Sequence, residues 1–156
     1  MQADIHRRRL LQSGLALGSA LCLPPARACE FFTTHLRITH PWTRASAADA
    51  SSAIVSMKFD EVQQADRLIA VETPVALTAE MRGVVMPDIT TVNGRTALDF
   101  PIPAGCETLL HEAGPHLLLL GLQFALEVAR EYPLQLIFER GGVVNATLSV
   151  DYTRFR

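Results

Sequence analysis

Charged residues are scarce in this chain. They make up 19% of its 156 residues, with 14 Lys and Arg against 16 Asp and Glu, and Lys58 is the only lysine. Because no run of five or six like charges occurs, neither a basic nucleic-acid-binding arm nor an acidic tail is present. The apolar fraction of 49% excludes a disordered chain. The length and composition predict one globular domain without a nucleic-acid partner.

Long hydrophobic runs are also lacking. The mostly apolar stretch 10–23 is shorter than the roughly 20 residues that a membrane-spanning helix needs. It follows Arg7, Arg8 and Arg9 and precedes Ala26-Arg27-Ala28, a small-x-small cleavage site. Residues 1–28 are therefore predicted to be an export signal, cleaved after Ala28, and the paired arginines leave both the twin-arginine and the general secretion route open. We expect residues 29–156 to form a periplasmic protein without a membrane span.

Cysteine is nearly absent from the predicted mature chain. Cys22 leaves with the signal, so Cys29 and Cys106 remain as one pair in an oxidising compartment. A disulfide between them is the expectation. A thiolate metal site is disfavoured because two cysteines so far apart match no zinc spacing. Acylation of Cys29, as in a lipoprotein, is disfavoured because Ala26 and Arg27 replace the residues usual at such a site.

Sustained helical periodicity is missing as well. Alternating or continuous short apolar patterns predict strands over eight segments: 36–43, 53–59, 67–72, 75–86, 107–111, 116–122, 134–139 and 143–150. Asn93-Gly94 and Arg140-Gly141-Gly142 are predicted hairpin turns. Only residues 123–130 allow a helical turn or two. The pattern predicts an antiparallel sandwich or barrel that forms one domain from about residue 33 to the end.

Catalytic signatures are absent. The sequence has no Gly-x-Ser-x-Gly elbow, no phosphate loop and no dinucleotide fingerprint. The segment from His111 to His116 invites comparison with the zinc-protease helix motif, but its spacing is one residue too long and Gly114-Pro115 would break the helix. We therefore do not expect an enzyme.

Donors for a soft metal ion are present but sparse. They are thioether and imidazole side chains, which Cu(I) prefers: Met57, Met81, Met86, His35, His40, His111 and His116. Met57 lies on the apolar face of a predicted strand and is expected in the core. Met81 and Met86 are five residues apart, so in a regular strand at most one of them faces a given site. Composition alone makes copper binding a minority hypothesis.

Five segments in order add a stronger signal. They are spread over nearly all of the predicted mature chain: Ile38-Thr39-His40-Pro41-Trp42-Thr43-Arg44-Ala45, Ala65-Asp66-Arg67-Leu68-Ile69-Ala70-Val71, Pro103-Ala104-Gly105, Gly114-Pro115-His116-Leu117-Leu118-Leu119-Leu120-Gly121-Leu122 and Leu134-Gln135-Leu136-Ile137-Phe138-Glu139. This ordered set resembles the PCu(A)C family. The resemblance implies a cupredoxin-like Greek-key β-barrel, and a periplasmic protein that carries Cu(I) to the copper centre of a cytochrome oxidase during assembly.

The ligand set that the resemblance implies is two His and two Met, and this sequence departs from it. His116 matches the second His, whereas the Met two residues later falls on Leu118. The first His falls on Arg82, and the remaining Met falls near Val92 or Asn93. Because a guanidinium is always charged and has no lone pair to donate, Arg82 would repel Cu(I) as well as vacate a ligand position. Three of the four implied ligands are missing.

Two functions remain open. In the first, an exported copper chaperone-like protein binds Cu(I) weakly or through substitute ligands, with His116 as principal ligand, Met86 or Met81 as soft partner, and His40 or His111 as third donor. In the second, a metal-free periplasmic interaction module keeps the fold without the copper site. Expected partners are cytochrome oxidase assembly proteins or another copper chaperone.

Overall fold

The computed structural model describes residues 29–83, 91–92, 95–96 and 98–151, and within them it contains twelve strands and no helix. The strands are β1 (Glu30–Phe32), β2 (Arg37–Arg44), β3 (Ser52–Asp60), β4 (Asp66–Glu72), β5 (Ala76–Arg82), β6 (Thr91–Val92), β7 (Arg95–Thr96), β8 (Phe100–Ile102), β9 (Thr108–Leu110), β10 (His116–Leu122), β11 (Glu131–Phe138) and β12 (Gly142–Asp151). The predicted all-β architecture is confirmed.

Ten of these strands form one sheet that curls into a nearly closed barrel. Eight follow the order β5-β10-β3-β2-β12-β11-β4-β8, while β1 pairs with β2 and β9 pairs with β3. The pairing of β12 with β2 is parallel, and the other pairings are antiparallel. Side chains alternate between the two faces of each strand, so every second residue enters one shared core. Val55, Leu117 and Leu148, for example, are fully buried there.

A bulge at His40 and Pro41 changes which residues of β2 face the core. Thr39 pairs with Lys58 but Trp42 pairs with Ser56, so β2 contains one residue more than β3 over this stretch. His40 has a φ of 50°, and a proline within a strand is typical of a bulge. Alternation of Leu36, Ile38 and Trp42 with Arg37, Thr39 and Thr43 predicts that Trp42 faces the core. The extra residue of the bulge reverses which side chains face inward after it, so Thr43 is buried and Trp42 is half-buried on the outer face.

Most predicted strand positions are confirmed, as is the hairpin at Arg140-Gly141-Gly142. Strands β6 and β7 pair on either side of Asn93-Gly94, two residues that lie outside the described part of the chain. The short strands β1 and β8 fall outside the predicted segments, and three predicted segments differ from the structure. Strand β5 ends at Arg82 rather than residue 86, because Gly83 adopts a left-handed conformation, and residues 84–90 lie outside the described part of the chain. Residues 123–130 form turns rather than a helical segment. The continuous apolar run 116–122 predicts a strand buried on both faces, but β10 is buried on its inner face only, since Leu118 and Leu120 are half-exposed on the outer face.

One buried carboxylate at the start of β4 joins two distant turns to this strand. Asp66, whose side chain is fully buried, accepts hydrogen bonds from the backbone N–H groups of Arg67, Arg140 and Gly141 and lies 2.8 Å from His35 Nε2. Burial by itself raises the pKa of Asp66. The hydrogen bonds outweigh burial and hold its pKa below the usual value. Asp66 therefore links the β1–β2 turn, the start of β4 and the β11–β12 turn.

Candidate functional site

His116 and Arg82 face each other across two neighbouring strands. They are register partners at the start of β10 and the end of β5. Directly opposed residues in an antiparallel pair project from the same face, about 5 Å apart at Cα. The next pair, Leu117 and Met81, points into the core. His116 and Arg82 therefore project together from the outer face, and Arg82 occupies the position where the family resemblance implies the first His.

The neighbouring pair on this outer face is also without a soft ligand. Leu118 is the register partner of Glu80, two residues along each strand from His116 and Arg82. The guanidinium of Arg82 donates a hydrogen bond to Glu80 Oε2 at 2.7 Å. The positions around His116 thus hold a cation, a carboxylate and an aliphatic side chain. A carboxylate is a hard donor, and Cu(I) favours thioether and imidazole donors instead.

The thioether of Met81 does not reach this face. Met81 is 8% exposed and pairs with the fully buried Leu117. Leu117 is the residue next to His116, so Met81 and Leu117 face the side of the sheet opposite to His116. Met57 is 2% exposed and belongs to the same core, as predicted. Met86, the other predicted soft partner, lies outside the described residues. The structure therefore brings neither Met81 nor Met57 to His116.

His111 lies in the same turn as His116. Its backbone N–H donates to Pro115 O at 2.7 Å, and Gly114 N–H donates to His111 O at 3.0 Å. The exposed imidazole of His111 packs against Gly114, so closely that a Cβ at Gly114 would lie 2.7 Å from its Nε2. Both imidazoles of this turn therefore contact the same glycine.

His40 lies apart from the turn. It sits in the bulge of β2, and β3 separates β2 from β10. Its Nε2 is 2.8 Å from Asp151 Oδ2. Across the part of the chain that the structure describes, no three His, Cys, Asp or Glu side chains are grouped so that they could hold a metal ion. The predicted donors thus offer His116, with His111 nearby, rather than a closed ligand cage.

The ring nitrogens of His116 have distinct roles. Nδ1 lies 2.9 Å from Gly114 O. A carbonyl oxygen only accepts hydrogen bonds, so Nδ1 carries the proton and Nε2 of the neutral ring keeps its lone pair. His116 therefore has one coordinating atom, Nε2.

Cys29 and Cys106 are free thiols in the structure, which therefore does not contain the predicted disulfide. Cys29 O accepts a hydrogen bond from His40 N–H at the start of β1. Cys106 follows Gly105, which bonds to Val62 beside the β1–β2 turn. Cys29 therefore lies before β1, whereas Cys106 lies near the turn that follows β1.

Burial raises the pKa of the half-buried Cys29 thiol, and the nearby carboxylates of Glu131 and Asp151 raise it further. A thiol with a raised pKa is largely protonated at neutral pH. It is then a weak nucleophile and a weak metal ligand.

Comparison with known proteins assigns this fold to one class. Solved PCuAC domains share the fold. "Apo PCuAC domain from PmoF1" is 26% identical, with a TM-score of 0.65 over 78% of this chain and 98% of its own. "Copper-bound PCuAC domain from PmoF2" is 22% identical, with a TM-score of 0.64 over 78% and 97%. "Solution structure of CuI-DR1885 from Deinococcus Radiodurans" is 20% identical, with a TM-score of 0.56 over 82% and 84%.

The protein is a PCuAC-like domain with the cupredoxin-like fold, as predicted. A family model described as "LpqE-like: Putative lipoprotein LpqE-like" matches residues 36–150, and the chain belongs to that family. A search of curated proteins found no match. Within the described residues, no helix is long and apolar enough to span a membrane.

Several residues that shape the site were not predicted. Glu80 is not among the predicted site residues. The signal was available, because opposite charges two residues apart on one strand, as in Glu80 and Arg82, indicate an ion pair on a shared face. The contact of Gly83 with Gly114 joins β5 to the β9–β10 turn and has no local sequence signal beyond the two glycines. It depends on strand register, which composition does not reveal.

Proposed function

We propose that this chain is an exported copper chaperone-like protein that binds Cu(I) weakly, through His116 rather than through the full ligand set of its family. Two observations support a copper-related role: the chain belongs to a PCuAC-like family, and two of the solved domains that share its fold are named as copper-bound and Cu(I)-loaded. Carriage and ligand exchange, not catalysis, would be its chemistry.

The observation that carries the weak-binding proposal is the pairing of His116 with Arg82 on the outer face. Nε2 of His116 supplies one imidazole donor, and His111 in the same turn offers a second. A fixed positive charge opposite His116 opposes the approach of Cu⁺, and Leu118 supplies no donor atom. Affinity should therefore fall well below that of a site with two imidazoles and two thioethers.

The cellular location that we propose is the periplasm, and it is inferred from the sequence. Residues 1–28 would direct export and be cleaved after Ala28, which leaves residues 29–156 as one periplasmic domain. Copper would be handed to the assembly of a cytochrome oxidase, either directly or by way of another copper chaperone. The family description as a lipoprotein suggests a second possibility, an anchor at Cys29.

A second candidate function is a metal-free interaction module. The Arg82–Glu80 ion pair favours this function. Each side chain already has a partner of opposite charge, so neither requires a metal ion to balance its charge. In this case the surface around His116 would hold an assembly protein or a loaded chaperone without receiving copper.

Competition titration of residues 29–156 with Cu(I) and chelators of graded strength, under anaerobic reducing conditions, separates these functions. Cys29→Ser and Cys106→Ser should be present throughout, so that free thiols do not bind the metal. The carrier predicts one displaceable Cu(I) ion, bound at least tenfold more weakly in His116→Ala and unchanged in His40→Ala, a histidine that β3 separates from the site. Absence of binding supports the module, and tight binding that His116→Ala leaves intact contradicts both.

A further inference from the structure

The turn that carries His116 packs against β5 through two glycines. A Cβ built on Gly83 would lie 2.3 Å from Gly114 O and 2.9 Å from Gly114 C, distances that side-chain atoms do not adopt. Gly83 also has a φ of 74°, which favours glycine. The backbone of Gly83 therefore lies against the carbonyl of Gly114, and any larger residue at position 83 would displace that carbonyl.

The same carbonyl oxygen accepts the hydrogen bond from His116 Nδ1 at 2.9 Å. One oxygen atom thus joins the end of β5 to the imidazole at the start of β10. The hydrogen bond decides which ring nitrogen is protonated, because only the donor nitrogen can face a carbonyl.

We propose that Gly83 is a positioning residue for His116. By leaving room for the Gly114 carbonyl, it holds the imidazole in the Nδ1–H tautomer and keeps the Nε2 lone pair available for a metal ion. This inference deepens the proposed function and rests on it where copper affinity is concerned, whereas the tautomer can be measured without metal. Partners that orient a coordinating imidazole commonly change metal affinity about 10- to 100-fold when they are lost.

The chain offers matched controls for a substitution at Gly83. Gly105 and Gly142 have φ values of 70° and 71°, close to that of Gly83, but a Cβ at either position would meet nothing within 4 Å. Gly105→Ala and Gly142→Ala therefore impose a similar backbone strain without touching the His116 turn. An effect that appears in Gly83→Ala alone must come from the contact with Gly114.

Nuclear magnetic resonance of ¹⁵N-labelled residues 29–156, in the same Cys29→Ser/Cys106→Ser background and without metal, tests the inference. At a pH at which the imidazoles are neutral, we expect the His116 ring to be mainly in the Nδ1–H form in the parent protein and in the Gly105 and Gly142 variants. In Gly83→Ala, the Nδ1–H form of His116 should no longer be the main tautomer, while the backbone amide signals remain those of a folded protein. A parent protein with mainly Nε2–H, or a Gly83→Ala variant with an unchanged tautomer, overturns the inference.

The Cu(I) titration of the same proteins separates this inference from the proposed function. We expect Gly83→Ala to bind Cu(I) about 10- to 100-fold more weakly than the parent, with the control glycine variants unchanged. If no protein binds copper but the tautomer shifts as expected, the proposed function fails and the positioning role stands. If copper binds equally to parent and Gly83→Ala, the positioning role fails. Should Gly83→Ala not fold at ambient temperature, the same spectra are recorded at lower temperature with trimethylamine N-oxide, which favours the folded state, and the same criteria apply. The tautomer of the parent protein can overturn the inference without any variant.

Discussion

The imidazole of His116 and the guanidinium of Arg82 project side by side from the outer face of the barrel, held there by the pairing of β10 with β5. A neutral imidazole offers a lone pair to a metal ion, and a guanidinium offers only protons and a positive charge. The pair therefore combines one side chain that could coordinate Cu(I) with one that opposes metal binding. The proposal of weak Cu(I) binding depends on this pairing of His116 with Arg82.

Replacing the cation by a ligand should restore affinity. Arg82→His places a second imidazole directly opposite His116, and we expect Cu(I) affinity to rise at least tenfold, about 1.4 kcal/mol or more. Arg82→Gln removes the charge without adding a strong donor and should give a smaller gain. Thr78→His, on the same outer face four residues along β5, serves as a control for adding a histidine. Competition titration provides the measurement, and equal gains for Arg82→His and Thr78→His would contradict the account.

Met81 should contribute to packing rather than to metal binding. Because its side chain lies in the core opposite Leu117, Met81→Leu preserves the buried volume and should cost less than about 1.5 kcal/mol in unfolding free energy. Cu(I) affinity should be unchanged. Denaturant unfolding and chelator competition on the same preparation measure both quantities. A tenfold loss of affinity would show that the thioether reaches the metal.

Asp66 should make stability depend on acid pH. Its pKa in the folded protein lies below its unfolded value of about 3.9, so the carboxylate contributes its full stability above pH 3.9 and loses it as the pH falls through the folded pKa. Asp66→Asn should lower the unfolding free energy at pH 7 by about 1.5 to 3 kcal/mol. The difference from the parent should narrow below about pH 4. Urea unfolding across a pH series tests this, with the exposed Asp49→Asn as control, and a pH-independent difference would refute it.

The two cysteines should alkylate at different rates without prior reduction. Cys106 is exposed, whereas Cys29 is half-buried and its thiol pKa is raised by burial and by the carboxylates of Glu131 and Asp151. Since the thiolate is the reactive form, we expect Cys106 to react first at neutral pH. The alkylation rate of Cys29 should approach that of Cys106 only as the pH rises. Mass spectrometry after iodoacetamide treatment follows both. If alkylation of the unfolded protein requires a reductant, the two residues form the disulfide that cysteine counting predicted.

The sequence predicted the positions of most strands, but it did not predict every residue that faces the core. Alternation along β3 correctly placed Val55, Met57 and Phe59 in the core, because period two is a local property of a pleated strand. The same reasoning failed at Trp42, where a one-residue bulge reversed the faces. A proline inside the strand was the available warning.

The candidate site was predictable only through the family resemblance. Spacing alone gave a scattered set of His and Met residues, and it did not reveal that Arg82 faces His116 while Met81 faces the core. Strand register sets both relationships, and it depends on pairing between distant segments. For the same reason the hydrogen bonds from Arg140 and Gly141 to Asp66, which span more than seventy residues of chain, left no local signal.

The donor atoms around Cu(I) can be counted directly by X-ray absorption at the copper edge. The measurement should use residues 29–156 with Cys29→Ser and Cys106→Ser, loaded with less than one equivalent of Cu(I), so that only methionine could supply sulfur. We predict nitrogen or oxygen scatterers alone, lost in His116→Ala. Sulfur scatterers in the first coordination shell would show that methionine thioethers complete the site, and the account of a disabled ligand set would then be contradicted.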